Sequence, residues 1–142
     1  MIPFACTAAA LAPSFPFAPG AGAGTILVVE DEAFVCELAA EALLDEGYRV
    51  LTAADADEAE AILSSEQVDL LFTDIDLARN TNGIALAHRA RRSLPRLPVV
   101  YTSGGRDGLS PTEAVSRSVF VPKPYRTAQI VAVTNDLLRS RG

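Results

Sequence analysis

Apolar residues in this chain fall into short unbroken runs, separated by stretches in which they recur at helical spacing. Ile26-Leu27-Val28-Val29, Leu70-Leu71-Phe72 and Val99-Val100-Tyr101 are such runs. A run without polar alternation reads as a strand buried on both faces, the condition of a parallel sheet covered by helices. After the first strand and Glu30-Asp31-Glu32, the spacing predicts a helix with Phe34, Val35, Leu38, Ala42 and Leu43 on its inner face. That helix carries acids in its first turn and Gly47 as the residue past its C-cap. Tyr48 to Ala53 reads as a second strand. Asp57 with Glu60 three residues later has the spacing of a capping box, opening a helix through Ile62 and Leu63. The strand at Val68–Thr73 leads into a helix from about Gly83 to Leu94, with Leu86, Ala87, Ala90 and Leu94 inward and Pro95 ending it. Leu97 to Thr102 is a fourth strand. The loose stretch Ser103-Gly104-Gly105-Arg106-Asp107-Gly108 follows, then a weak helix at about Pro111–Ser116. Ser118–Pro122 is a short fifth strand, and a last helix from about Thr127 to Arg139 buries Ile130, Val133, Leu137 and Leu138. Alternation of this kind predicts an α/β fold, a parallel sheet with helices on both faces and right-handed crossovers.

Length and composition narrow the picture. The 142 residues suffice for one domain with a proper core and are too few for two ordinary ones. Nearly half are apolar, which favours a globular class over disorder. A net charge of −6 with no basic stripe argues against a nucleic-acid surface; Arg89, Arg91 and Arg92 read as a solvated helix face. Cys6 and Cys36 form no disulfide framework or metal spacing, and read as free thiols in a reducing, cytoplasmic compartment. Residues 1–24 stand apart: no charged side chain, and a composition dominated by Ala, Pro and Gly. Pro3, Pro13, Pro16 and Pro19 interrupt any apolar core, so neither a secretory signal nor a membrane span is expected. The division expected is a flexible leader at 1–24 and one domain at 25–142.

The strand ends carry the chemistry. In an open parallel α/β sheet, ligands bind in the crevice outside the carboxyl ends of the strands. The first strand delivers Glu30 and Asp31 there, the third Asp74, the fourth Thr102 and the fifth Lys123. Three carboxylates converging on one crevice repel unless a cation lies between them, and oxygen ligands of this kind suit Mg²⁺. A hydroxyl and an ammonium opposite complete a site for a phosphoryl group, whose transfer depends on positioning and charge neutralisation.

With these residues in view, the chain from Thr25 nearly to its end resembles the receiver domain of two-component response regulators. The resemblance is carried by Ile26-Leu27-Val28-Val29-Glu30-Asp31-Glu32, by Asp69-Leu70-Leu71-Phe72-Thr73-Asp74-Ile75-Asp76-Leu77 with Asn82-Gly83, by Pro98-Val99-Val100-Tyr101-Thr102-Ser103-Gly104, and by Phe120-Val121-Pro122-Lys123-Pro124-Tyr125. Each motif alone is weak; four in the right order at the right strand ends are specific. The resemblance implies a flavodoxin-like receiver fold with strand order 2-1-3-4-5. It implies that Asp74 accepts a phosphoryl group from a phosphohistidine. Glu30, Asp31, Asp74 and the backbone carbonyl of Asp76 would hold Mg²⁺. Lys123 would pair with Asp74 and then with a phosphoryl oxygen, and Thr102 would donate its hydroxyl to another. Phe120 matches the family's switch aromatic, which turns inward when the threonine moves, and Lys123–Pro124 matches a peptide bond often cis in the family.

Three departures from the family pattern stand out. Ala78 replaces the usual proline, which predicts a looser loop after Asp74. Asp76 adds an acid two residues past the acceptor, at a position that in the family influences phosphoryl lifetime. The double glycine after Ser103 and the weak helix beyond it predict a mobile output face. The reading is a stand-alone receiver, a switch and not a metabolic enzyme. Its partners would be a sensor histidine kinase or histidine phosphotransfer protein upstream and a protein target downstream, with no nucleic acid and no membrane. Two alternatives belong to other classes. Asp74-Ile75-Asp76 after a hydrophobic strand also resembles the nucleophile motif of haloacid-dehalogenase-type, Mg²⁺-dependent phosphatases, although there the motif lies on the first strand. A phosphorylation-independent interaction module of receiver shape is the other. The bland readings are a helix-start acid cluster for Glu30 and Asp31, a strand-end hydroxyl for Thr102, a surface lysine for Lys123, a core aromatic for Phe120 and a surface or boundary residue for His88.

Overall fold

The computed structural model describes residues 24–140. The leader expected at 1–24 therefore lies, apart from Gly24, outside the described residues, as does Cys6. Strands β1 (Thr25–Val29), β2 (Arg49–Ala53), β3 (Leu70–Asp74), β4 (Val99–Ser103) and β5 (Ser118–Pro122) and helices α1 (Ala33–Asp45), α2 (Ala56–Ser65), α3 (Gly83–Ser93) and α4 (Thr127–Arg139) follow in the order β1-α1-β2-α2-β3-α3-β4-β5-α4, so alternation is broken once, between β4 and β5. All strand pairs are parallel, in the order β2-β1-β3-β4-β5. The chain runs outward from β1 to one edge, then crosses to β3 on the other side. The carboxyl ends of β1 and β3 therefore flank the point where the strand order reverses, where a crevice opens.

Successive residues of a strand face opposite sides of the sheet. Ile26, Val28, Leu70 and Phe72 pack on one side with Ala39, Ala40 and Leu43 of α1 and Ile130 and Leu137 of α4. Leu27, Val29, Leu71 and Tyr101 pack on the other with Ala56 and Ala59 of α2 and Leu86, Ala87 and Ala90 of α3. Both faces of the central strands are thereby removed from water, so β1, β3 and β4 carry apolar runs instead of alternation. Among the described residues no helix is long and apolar enough to cross a membrane.

Several local expectations are corrected. In α1 the buried positions are Cys36, Ala39, Ala40 and Leu43, whereas Phe34 is 70% and Leu38 41% exposed. Small residues let α1 lie close to the sheet, and Phe34 and Leu38 are turned outward. The acids expected in its first turn precede the helix, with Glu32 as its N-cap. Gly47 does follow the C-cap, at φ 100°; its N–H donates to Leu44 O and that of Tyr48 to Leu43 O, a Schellman closure.

The capping box of α2 lies two residues earlier than its sequence spacing suggested. Asp55 accepts from the Glu58 N–H at 2.9 Å, and the Glu58 carboxylate accepts from the Ala54 N–H at 2.8 Å. The helix expected at Pro111–Ser116 is a pair of turns. Gly104, Gly105, Gly108 and Pro111 leave only a few residues before Arg117, itself at φ 54°, too few to nucleate a helix. Nor is Arg91 merely a solvated charge. Its Nε donates to Leu97 O at 2.6 Å, and its other nitrogens donate to the hydroxyl and carbonyl of Ser116, fastening α3 to the start of β5.

Candidate functional site

Glu30 is the first residue past β1, and its N–H still donates to Ala53 O of β2, so its side chain leaves the sheet at a fixed place. Asp74 is the last residue of β3, in register with Thr102 of β4. Both carboxylates are 6% exposed, while Asp31 beside them is open to solvent. Oxygens of Glu30, Asp31 and Asp74 lie within 4.8 Å of one another.

Lys123, immediately after β5, reaches across to this cluster. Its Nζ donates to Glu30 Oε1 at 2.7 Å and to Asp74 Oδ2 at 3.1 Å. The Lys123 N–H donates to Ser103 O, and the Lys123–Pro124 peptide is cis. Asp74 Oδ1 accepts from the Asp76 N–H at 3.3 Å, and Glu30 Oε2 from the Glu32 N–H at 3.1 Å. Each acid thus has one oxygen on the lysine and the other on a backbone amide.

Burial pushes the Glu30 carboxyl above the usual range, and the Asp74 charge adds to this; the hydrogen bond from Lys123 works against it. Burial likewise raises Asp74, with Lys123 opposing. Burial alone would depress Lys123, but its contacts with Glu30 and then Asp74 prevail and hold its ammonium well above the ordinary range. Two carboxylates with raised proton affinity and a third beside them make a site whose charge one ammonium leaves uncompensated. A divalent cation would reverse the direction of both shifts. The donor set, three carboxylates at one crevice, fits Mg²⁺.

Of the remaining sequence-derived candidates, Thr102 and Asp76 lie at strand ends beside this cluster, whereas Phe120 and His88 do not. Thr102 is fully buried, and its hydroxyl has no hydrogen-bond partner among the described residues. A buried hydroxyl of this kind needs an acceptor that it does not find in the protein. Asp76 is exposed and accepts from the Ser103 hydroxyl at 3.3 Å. Phe120 pairs with Tyr101 across β4 and β5 and is half-buried against the core on the α2/α3 side. His88 is exposed, and its Nε2 meets the Glu113 carbonyl at 2.8 Å, outside the crevice.

The family model of the response regulator receiver domain matches residues 26–135. The chain belongs to this family. The receiver is 35% identical to the nitrogen assimilation regulatory protein NtrX of Azorhizobium caulinodans over 118 residues, which cover 81% of this chain and 26% of that protein. It is 32% identical to the phosphate regulon transcriptional regulatory protein PhoB of Pseudomonas aeruginosa, covering 83% of this chain and 53% of the relative. The receiver thus spans a quarter to a half of the length of these curated relatives. Among solved structures, a response regulator receiver protein from Sinorhizobium medicae superposes with a TM-score of 0.80 at 30% identity, covering 84% of this chain and 98% of that one. Receivers of two-component response regulators are signalling domains, not metabolic enzymes, and this fold and acidic pocket are theirs.

Two contacts near the receiver's site were not read from sequence. Gly83, the first residue of α3, is pressed against the Asp74 carbonyl oxygen, and a Cβ there would also lie 2.9 Å from Thr73 Oγ1. Only the N-G pair before an apolar periodicity hinted at this close approach. The other is Arg79 in the loop after β3, which pairs with Asp55 at 2.8 Å. No local pattern signals that contact, because the partners belong to different crossovers.

Proposed function

We propose that this receiver is a phosphorylation-activated switch in which Asp74 accepts a phosphoryl group from a phosphohistidine of a sensor kinase or histidine phosphotransfer protein. The observation that carries the reading is the cluster of Glu30, Asp31 and Asp74 bridged by the Lys123 ammonium. An Asp74 oxygen attacks phosphorus, the P–N bond to the imidazole breaks, and the histidine leaves with the bond electrons. The product is an acyl phosphate on Asp74. Glu30, Asp31, Asp74 and the Asp76 carbonyl would hold Mg²⁺, which supplies charge neutralisation of the phosphoryl oxygens. Lys123 exchanges its bond with Asp74 for one with a phosphoryl oxygen, and the unpartnered Thr102 hydroxyl donates to another. Water attack on the phosphoryl group resets the switch.

Docking of the donor is supported by Phe34 and Leu38, the exposed large apolar side chains of the described residues, one helical turn apart on α1 beside Asp31. The added charge of an acyl phosphate acts locally, drawing Thr102 toward the crevice and freeing space for Phe120 to turn inward. The altered β4–β5 face would then signal by contact with a target protein.

Intact mass after incubation with acetyl phosphate tests the reading. One phosphoryl adduct is expected in the wild type with Mg²⁺, and none with EDTA or in Asp74→Asn. No adduct, together with no binding of Mg²⁺ or beryllofluoride, would overturn it in favour of a phosphorylation-independent interaction module.

A further inference from the structure

We propose that the Arg79–Asp55 pair is an anchor that positions the backbone of Asp76 and thereby sets the affinity of the crevice for Mg²⁺. This inference rests on the proposed reading of the carboxylate cluster as a Mg²⁺ site. After β3 the chain leaves the sheet through Ile75 and returns at Gly83, whose N–H donates to Ile75 O at 2.8 Å. Between them the segment folds on itself: Asp76 and Asn82 form an antiparallel bridge, Leu77 N–H donates to Thr81 O, and the Thr81 N–H and hydroxyl both donate to Ala78 O. The Asp76 carbonyl, the proposed backbone ligand, sits at the foot of this hairpin-like loop.

At its tip the loop is in an unfavourable conformation. Arg79 and Asn80 both have φ 58°, a region that costs an arginine about 1–3 kcal/mol. Ala78 places no ring on the backbone to restrict it. Three contacts from the N-terminal end of α2 hold the loop. Arg79 Nη2 lies 2.8 Å from Asp55 Oδ2 and 3.6 Å from Asp57 Oδ2. The Ala56 N–H donates to Thr81 Oγ1 at 3.4 Å.

Asp55 suits this task, because its side chain is only 8% exposed and its position is fixed by capping α2 through the other oxygen. The Arg79 side chain is 65% exposed, so what distinguishes the pair from an ordinary surface ion pair is that one partner, Asp55, is already fixed before the other reaches it. Through it, a helix with no residue in the crevice holds the loop that starts at Asp76. Releasing the tip would let the loop relax toward ordinary φ values and widen the range of positions open to the Asp76 carbonyl. Magnesium demands near-ideal octahedral ligand placement, so such freedom lowers its affinity.

Titration calorimetry with MgCl₂, and melting in EDTA, on the full chain test this with Arg79→Ala, Arg79→Lys, Asp55→Asn and the double variant Arg79→Ala/Asp55→Asn. Asp55→Asn keeps the capping oxygen and removes the charge. The expected result is roughly 3- to 10-fold weaker Mg²⁺ binding in Arg79→Ala and in Asp55→Asn alike, about 0.7–1.4 kcal/mol. The double variant should be no weaker than either single one, and Arg79→Lys should recover part of the loss.

A purely long-range electrostatic influence moves the two single variants in opposite directions, since one removes a positive and the other a negative charge. Opposite shifts would therefore overturn the anchor, as would unchanged Mg²⁺ affinity in both, including where the metal-free melting temperature falls. Absence of Mg²⁺ binding in the wild type is a separate result: it overturns the reading of the carboxylate cluster itself, and the anchor with it.

Discussion

Glu30 and Asp74 are held side by side in a nearly closed crevice, sharing one ammonium between them. The carboxyl groups of both are raised, first by burial, so the folded protein favours their protonated forms more than the unfolded chain does. The sign of the pH dependence follows. The stability they contribute is fully present below the ordinary carboxylate range and is lost as pH rises through the raised folded-state values. At neutral pH without metal the ionised pair is therefore a net cost. Asp74→Asn is expected to melt higher than the wild type at pH 7 in EDTA, and the difference should close as pH falls to about 4. Melting curves across that range check it; a wild type that is the more stable protein at pH 7 would refute this electrostatic account. Legibility at this scale was good for the residues that end strands. The structure puts Glu30, Asp74, Thr102 and Lys123 at neighbouring strand ends, where the sequence led them to be expected, since a buried strand has one end where polar side chains can collect. The Arg79–Asp55 contact was not legible, because 24 positions separate its members and neither lies on an apolar periodicity.

Helix α1 shows what hydrophobic periodicity can and cannot decide. Phe34, Val35, Leu38 and Ala42 fit one helical stripe, and Cys36, Ala39, Ala40 and Leu43 fit another, on the opposite side of the helix; only the second faces the sheet. Ranking by side-chain size selects the wrong stripe, because close helix–sheet packing here uses alanines. Leu43, the one large side chain of the buried stripe, is fully buried. Leu43→Ala should cost about 2–5 kcal/mol through lost burial and the cavity left behind. Phe34→Ser should change stability by no more than about 0.5 kcal/mol, while slowing phosphoryl transfer from a protein donor and leaving transfer from acetyl phosphate unaltered. Urea denaturation and the two transfer assays read these out together. Comparable destabilisation by both substitutions would mean that Phe34 is a core residue after all. The stretch between β4 and β5 is the other lesson at this scale. Its turns are held by Arg106 on the Glu113 carboxylate at 2.7 Å, a pairing that pulls that carboxyl down to about 2, and by Glu113 accepting from the Ser110 N–H.

Considered whole, the molecule is a scaffold that brings four strand ends to one crevice. The core has both sheet faces covered, but the crevice is charged against itself. Ligand binding to the folded state should therefore raise stability by mass action, about 2.7 kcal/mol at a concentration 100 times the dissociation constant. The melting temperature is expected to rise with Mg²⁺, and further when beryllofluoride is added as a phosphoryl mimic. In Asp74→Asn the Mg²⁺ increment should be much smaller. Scanning calorimetry with and without each ligand checks the order; equal increments in wild type and variant would place the metal elsewhere.

What the sequence by itself determined is the alternation of strands and helices, the parallel sheet and the acids, hydroxyl and lysine at strand ends. These are consequences of short-range rules: side-chain period, burial of both strand faces and the turn residues between elements. Tertiary structure alone decided which stripe of α1 meets the sheet and that the stretch after β4 closes as turns. It also decided that Lys123, expected beside Asp74, reaches Glu30 as well, and that the loop after β3 is tied to α2. Each of those depends on the spacing between elements brought together from distant parts of the chain, where packing and charge pairing override local preference.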